Sequence, residues 1–344
     1  MSKQQPTIKD LARKLRISVS TVSRALRDLP DVNPETKKAV QDLARELHYE
    51  PNYIAQSLIN RNTKVIGVIV PVISAPVFGR ILAGMHDTAQ QQGYQLMICQ
   101  SNEQAELEAT LIKQLIAFKA DGIVISVSSE TKNAASFDVL EAKGIPVVFF
   151  DRVPLNVHAS KVVVDEYQGG MMAVEHLIQS GCKQIGHLAG PPDLSISTNR
   201  LNGYLAALKK YSLPVREKFI IPCPRFEEDA LKAVRQLFSG KEVPDGIFAI
   251  NDASAIIAIR YLKKKGIRIP EEVAVVGFNN DPISEVAHPS VTSVMEPGYE
   301  MGCRTIETVI RHIRDHHFEA QTIVLKSKLM KRESTDRILS NKIE

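Results

Sequence analysis

The side chains most suited to chemistry are few and scattered. His312 and His316, spaced i, i+4 with His317 alongside, could in principle grip a metal ion. They sit beside Arg311, Arg314 and Asp315, so a solvated, charged helix end is expected instead. Gly169-Gly170, following Val164-Asp165, has the look of a helix start and is a weak phosphate signal on its own. There is no GxSxG elbow, no GxxxxGK[ST] phosphate loop, no HExxH and no GxGxxG opening a helix after the first apolar run. Groups that bind are better represented. Ser18, Thr21, Ser23, Asn33, Thr36 and Tyr49 offer hydroxyls and an amide suited to orienting a phosphate backbone. Ser74-Ala75-Pro76-Val77-Phe78, Asp151-Arg152, Asn251-Asp252 and Asn279-Asn280-Asp281 each follow an apolar β-rich run, the place where ligands meet parallel sheets.

The charge balance says which partners to look for. The 344 residues carry 43 Lys plus Arg against 39 Asp plus Glu, a net charge of +4. Residues 1–62 hold 11 basic and 7 acidic residues, so the whole excess lies there and the remainder is balanced. A basic module of that size suits nucleic acid. No apolar run approaches the roughly 20 residues needed to span a bilayer, and Met1 to Pro6 is polar, so a cytoplasmic chain is expected. Cys99, Cys182, Cys223 and Cys303 form no CxxC pair and are expected to be ordinary buried or half-buried thiols.

Three short helices are expected in the first fifty residues. Thr7 can cap one with Ile8, Leu11, Ala12 and Leu15 on its inner face, Asp10 completing a capping-box pair. Ser18 can cap Val19 to Arg27, with Val22, Ala25 and Leu26 inward. Asn33-Pro34 opens a third, with Ala39, Val40, Leu43, Ala44 and Leu47 on one face. The tight link between the first two describes a helix-turn-helix, although any small three-helix bundle would show the same periodicity.

Three runs carry a resemblance: Thr7-Ile8-Lys9-Asp10-Leu11-Ala12, Ile17-Ser18-Val19-Ser20-Thr21-Val22-Ser23-Arg24-Ala25-Leu26, and Tyr49-Glu50-Pro51-Asn52-Tyr53-Ile54-Ala55-Gln56-Ser57-Leu58. The chain resembles the LacI/GalR family of bacterial transcription regulators from about Thr7 to Ser334. The resemblance implies that Val19, Ser20 and Arg24 face base edges in the major groove. Arg24 is suited to guanine and Val19 to a thymine methyl, the alternative for Val19 being a core contact. It implies a hinge helix over Pro51 to Ile59, with Leu58 wedged into a minor-groove step and Ala55 beside it, or else Leu58 covering the adjacent domain. The expected DNA contacts are therefore Thr7, Ser18, Val19, Ser20, Thr21, Ser23, Arg24, Asn33, Thr36, Tyr49, Asn52, Ala55 and Leu58. Arg16 stands where the family's turn usually has a permissive residue such as Gly; in the left-handed region it would cost roughly 1–2 kcal/mol.

From Val65 onward, β-rich runs alternate with amphipathic stretches, as in parallel sheets covered by helices on both faces. Strands are expected at 65–70, 94–99, 122–126, 147–150, 162–164, 185–189, 219–221, 246–250 and 274–278, and helices at 81–92, 107–118, 171–178, 200–210 and 253–265. The fold class is thus a small all-α helix-turn-helix domain (1–50), a hinge and linker (51–62), and an α/β core (63–344) of two doubly wound parallel-sheet subdomains. The resemblance likens this core to periplasmic binding proteins and has the chain cross between subdomains near Val162, Ser293 and Val324. That gives an N-subdomain of 63–161 and 293–323 and a C-subdomain of 162–292 and 324–344.

The resemblance also assigns Arg200 to a ligand hydroxyl or carboxylate, and Phe78 and Phe226 could cover an apolar ligand face. The expected ligand contacts are Ser74, Val77, Phe78, Asp151, Arg200, Phe226, Asn251, Asp252 and Asn279. Asp151 and Asp252 could instead cap helices, Phe226 could be core, and Arg200 could be a structural ion pair. Asn279 replaces the family's common Asp, and the chain has no Trp, so a plain monosaccharide is less secure; purines, nucleosides and modified or phosphorylated sugars stay open. The expectation is a homodimeric, ligand-responsive repressor, not an enzyme, needing no cofactor or metal. It would bind a pseudo-palindromic double-stranded operator and a small effector, a sugar, sugar derivative or nucleoside. Dimer contacts are expected on the helices over 81–92 and 107–118. The rivals are a solute-binding protein and an enzyme acting on a sugar or nucleoside in the same cleft.

Overall fold

A computed structural model describes residues 6–49, 62–131, 137–154, 157–224, 227–315 and 319–337. The chain divides into two units, Met1–Thr63 and Lys64–Glu344. The hinge positions Asn52, Ala55 and Leu58, together with Phe226, His316 and His317, lie outside the described residues.

In the first unit, α1 (Ile8–Leu15), α2 (Val19–Leu26) and α3 (Pro34–Glu46) close around Leu11, Ala12, Val22, Ala25, Val40 and Ala44. Their starts are fixed by local hydrogen bonds. The Thr7 amide donates to Asp10 Oδ2 at 3.0 Å, Thr21 N donates to Ser18 Oγ at 3.0 Å, and Glu35 N donates to Asn33 Oδ1 at 2.8 Å. Ala39, expected on the inner face of α3, is exposed, because Val40 and Ala44 one turn apart already fill the seam. The turn between α1 and α2 passes through Arg16 at φ 54°, ψ 38°, the left-handed region. Arg16→Gly is therefore expected to stabilise this unit by about 1 kcal/mol, since glycine removes the Cβ clash. Calorimetric melting of the intact chain checks this: an unchanged or lower transition for the first unit would show that the turn is unstrained.

The second unit contains two six-stranded sheets. The first has the order β11-β5-β4-β3-β1-β2, with β1 Val65–Val70, β2 Gln95–Gln100, β3 Gly122–Ile125, β4 Val147–Phe150, β5 Ser160–Val164 and β11 Thr322–Leu325, all neighbours parallel. The second has the order β12-β10-β9-β8-β6-β7, with β6 Ile185–Ala189, β7 Ile220–Pro222, β8 Gly246–Ala249, β9 Ala274–Phe278, β10 Thr292–Met295 and β12 Lys328–Met330. Here β12 runs antiparallel to β10, a departure from the purely parallel sheet that the sequence suggests. The strands β10, β11 and β12 are not among those expected from the sequence; at three or four residues each they leave almost no periodic signal.

Both sheets share the 2-1-3-4-5 order of doubly wound folds, which opens a crevice at the carboxyl ends of the strands. The chain passes between sheets after Val164, Met295 and Leu325, within one or two residues of the positions expected. A strand must finish its ladder before the chain can leave it, so residues 162–164 and 324–325 stay with the first sheet and 293–295 with the second.

Helices α4 (Pro76–Gln91), α5 (Ala105–Ala117), α6 (Asp138–Ala142) and α12 (Gly298–Arg314) cover the first sheet. The second is covered by α7 (Glu166–Gln179), α8 (Ser195–Lys210), α9 (Glu227–Leu237), α10 (Asp252–Lys264) and α11 (Pro282–Val286). Gly169 and Gly170 lie inside α7 and not at its start, which removes the phosphate reading. A Cβ on Gly170 would stand 2.4 Å from the Arg200 carbonyl oxygen, so glycine is what lets α7 and α8 touch backbone to backbone. His312 is likewise not solvated: it is 1% exposed, its Nε2 is 3.3 Å from Ser160 Oγ, and burial holds its pKa down to about 4. Among the described residues no His, Cys, Asp and Glu cluster could hold a metal ion. The four cysteines are free, two of them buried and two half-buried. Among the described residues no helix is long and apolar enough to cross a membrane.

Candidate nucleic-acid interface and effector cavity

In the first unit, the period of α2 separates two faces. Val22 and Ala25 are buried, whereas Val19, Ser20 and Arg24 point outward; Val19 is 42% exposed, which removes it from the core. Ser18 Oγ lies 2.6 Å from Ser20 Oγ and 2.8 Å from Thr21 Oγ1, so the hydroxyls gather at the positive, amide-bearing start of the helix. Arg24 is half exposed and pairs with Asp31, a partner that sequence reasoning did not identify. Thr7 and Asn33 are engaged as caps. Ser23, Thr36 and Tyr49 are half-buried, with Tyr49 packed against the small core.

In the second unit, the loops at the carboxyl ends of β1, β4, β8, β9 and β10 surround a cavity of about 150 Å³. Of the expected ligand contacts, Val77, Phe78, Asp151, Arg200, Asn251 and Asn279 line it together. Ser74 does not; it is exposed outside the cavity. Asp252 does not either. Its carboxylate is fully buried behind the loop that follows β9 and accepts the Asp281 amide at 2.6 Å, and burial raises its pKa to about 7.

The centre of the cavity wall is Arg200. Its Nε donates to Glu166 Oε2, its Nη1 to the Ile250 carbonyl and its Nη2 to Glu296 Oε1, each at 2.6 Å, and its guanidinium lies 3.6 Å from the centroid of Phe278. Each of the three nitrogens donates a hydrogen bond, and the ion-pair role raised as the alternative by the sequence is formed with Glu166 and Glu296. Opposite it, Asp151 follows β4 at φ 57° and receives Ser126 Oγ at 3.2 Å. Burial raises the carboxyls of Asp151, Glu166 and Glu296 above their ordinary range, while Arg152 and then Arg200 pull Asp151 back and Arg200 pulls back the two glutamates. Arg152 donates to both oxygens of Glu103, at 2.7 and 2.9 Å.

Glu103, Glu166 and Glu296 are functional candidates that sequence reasoning missed. Glu296 follows β10 as Asp151 follows β4, so detecting that four-residue strand would have placed it at the crevice. Nothing local marks Glu166 or Glu103, whose roles depend on what they face.

Comparison with known proteins follows the same division. The model of bacterial regulatory proteins of the lacI family matches residues 7–52, and that of periplasmic binding proteins and the sugar binding domain of the LacI family matches residues 63–335. The chain is 29% identical over 330 residues to the HTH-type transcriptional repressor PurR of Actinobacillus pleuropneumoniae serotype 3 (strain JL03), covering 95% of this chain and 98% of that one. A solved complex of the transcriptional regulator CelR with cellobiose is 29% identical, with a TM-score of 0.73 over 96% of this chain and 99% of that one. The lac repressor dimer bound to operator and the anti-inducer ONPF, at 23% identity, shares the fold with a TM-score of 0.87 over 96% and 99%. With both units matched in order, this chain belongs to the lacI family of bacterial regulatory proteins, and it is a DNA-binding transcription regulator, not an enzyme.

Proposed function

We propose that the chain is a ligand-responsive repressor that binds a pseudo-palindromic operator as a homodimer and is switched by a small effector in the cavity. The observation that carries this reading is the coexistence of an outward polar face on α2 with a polar cavity at the crevice of paired sheets. The first suits a major groove and the second a small polar molecule. At about 150 Å³ the cavity is below the 300 Å³ or so of common drug-sized sites, which favours a monosaccharide-sized effector over a nucleoside or disaccharide. A solute-binding protein would have no use for the basic first unit.

Val19, Ser20 and Arg24 are the proposed base contacts, with Ser18, Thr21, Ser23, Asn33, Thr36 and Tyr49 serving the backbone. Arg24 must leave Asp31 to reach guanine, so the pair sets its side-chain direction and competes with DNA. Arg24→Ala is expected to lose about 1–3 kcal/mol at one base position of each half-site and to relax preference there. Selection of binding sites from a random pool, followed by anisotropy titration, tests this. Equal weakening on every sequence would make Arg24 a phosphate contact. The repressor reading as a whole is tested by titrating the selected site with protein, with and without candidate sugars. Failure to select any site would overturn it.

A further inference from the structure

Charge in the cavity wall is not balanced. Three carboxylates, Glu103, Asp151 and Glu296, and two guanidiniums, Arg152 and Arg200, line the cavity, and a fourth carboxylate, Glu166, pairs with Arg200 outside the lining. The lining thus carries one excess negative charge, Glu166 adds a second behind it, and the adjacent Arg80–Asp281 pair changes neither. Both guanidiniums of the wall already face carboxylates: Arg200 donates from its three nitrogens to Glu166, Ile250 and Glu296, and Arg152 Nη1 donates to Glu103. Glu166 and Glu296 share Arg200 and, with their proton affinity raised by burial and by each other, can hold one proton between them. Asp151 is left. It is 8% exposed, lines the cavity, and its Oδ2 receives Ser126 Oγ, the one side-chain hydrogen bond to its carboxylate among the described residues. Arg152 and Arg200 act on it electrostatically without a hydrogen bond to it among the described residues, so donors from a ligand would complete its partners, and a phosphate or carboxylate ligand would deepen the negative excess.

We propose that the cavity selects an effector bearing a protonated amine, a monosaccharide-sized amino compound of the amino-sugar class, with Asp151 as the partner of the ammonium group. This inference rests on the effector-cavity reading given under the proposed function. The ring hydroxyls of such a molecule would meet Asn251 and Asn279, and Phe78 would cover its apolar face. The charge that distinguishes this class from neutral sugars is read by Asp151.

Matched ligands on the intact chain at pH 7 test the proposal by thermal shift and titration calorimetry. The gluco, galacto and manno series would each be offered as the neutral hexose, the 2-amino sugar, its N-acetyl form and the hexose 6-phosphate. One amino sugar is expected to bind at least tenfold more tightly than its neutral and N-acetylated counterparts, with no binding by the phosphate. Asp151→Asn is expected to remove that preference, bringing the amino sugar and the neutral hexose to similar affinities. The N-acetyl comparison uses the unaltered chain, so it decides the matter even if the variant folds poorly. A neutral hexose or a 6-phosphate that binds as well as the amine would overturn the charge assignment and leave the effector cavity standing. An amine that binds equally well to Asp151→Asn would overturn the assignment of Asp151, and absence of binding by every amine would overturn the proposal itself.

Discussion

Arg200→Ala is expected to lower the stability of the second unit by about 3–5 kcal/mol, because it strands Glu166 and Glu296 in a dry wall without their counter-charge. For a unit of this size that is a drop in melting temperature on the order of 10 °C. Arg200→Lys should rescue little, since a single ammonium cannot reproduce three divergent hydrogen bonds. The deficit should depend on pH in a definite direction. Burial already raises both glutamates above their ordinary values, and losing the guanidinium raises them further. A carboxyl whose folded pKa exceeds its unfolded value binds more protons in the native state, so its contribution is favourable below the unfolded pKa and is lost as pH rises through the folded one. The gap between Arg200→Ala and the parent chain should therefore be small near pH 5 and widen toward pH 8. Melting curves across that range decide the issue, and a deficit independent of pH would mean that Arg200 acts through packing on Phe278 alone.

That result bears on what can be inferred from the residues alone. The resemblance assigns Arg200 to the ligand, and the residue does line the cavity, but its three nitrogens are taken by groups 34, 50 and 96 positions away in the chain. No local pattern encodes such partners. Asp151, Asn251 and Asn279 were legible because position after a strand is a local property, and strands buried on both faces such as β1 and β8 are continuous apolar runs. Asp252 followed the same rule and failed it: the first residue of α10 turns its carboxylate toward the Asp281 amide and away from the crevice. Helix starts on α1, α2 and α3 were legible for the same local reason, since a cap and its amide lie two or three residues apart. Short strands, the direction of β12 and the burial of His312 depend on distant chain and were not.

Arg80→Ala is expected to weaken effector binding by roughly tenfold or more while leaving the fold intact. Arg80 extends from α4, which covers the first sheet, to the loop that follows β9 of the second. Its Nη2 donates to the Asn279 carbonyl at 2.6 Å and its Nη1 to the Asn280 carbonyl at 3.1 Å, with Asp281 Oδ1 3.4 Å away. Asn279 and Asn280 both adopt positive φ, 93° and 53°, a conformation that asparagine tolerates better than most residues but does not prefer. The guanidinium thus holds a strained loop in place and ties the two sheets together at the rim of the cavity that Asn279 lines. Hydrogen bonds from a charged donor contribute about 1.5–3 kcal/mol each when sheltered, and partial exposure of Arg80 puts the pair toward the low end. A ligand that needs the loop in this arrangement must supply whatever Arg80 no longer does, and its apparent affinity falls by the fraction of chains that have left it. The melting temperature should move far less than in Arg200→Ala, because the Arg80 side chain is 31% exposed and water replaces it. Calorimetric titration with the best ligand from the matched series, alongside small-angle scattering of the free chain, measures both consequences. Unchanged affinity with unchanged scattering would show that the sheets are held together elsewhere, and that the loop keeps its shape through Asp252 and the Asp281 amide alone.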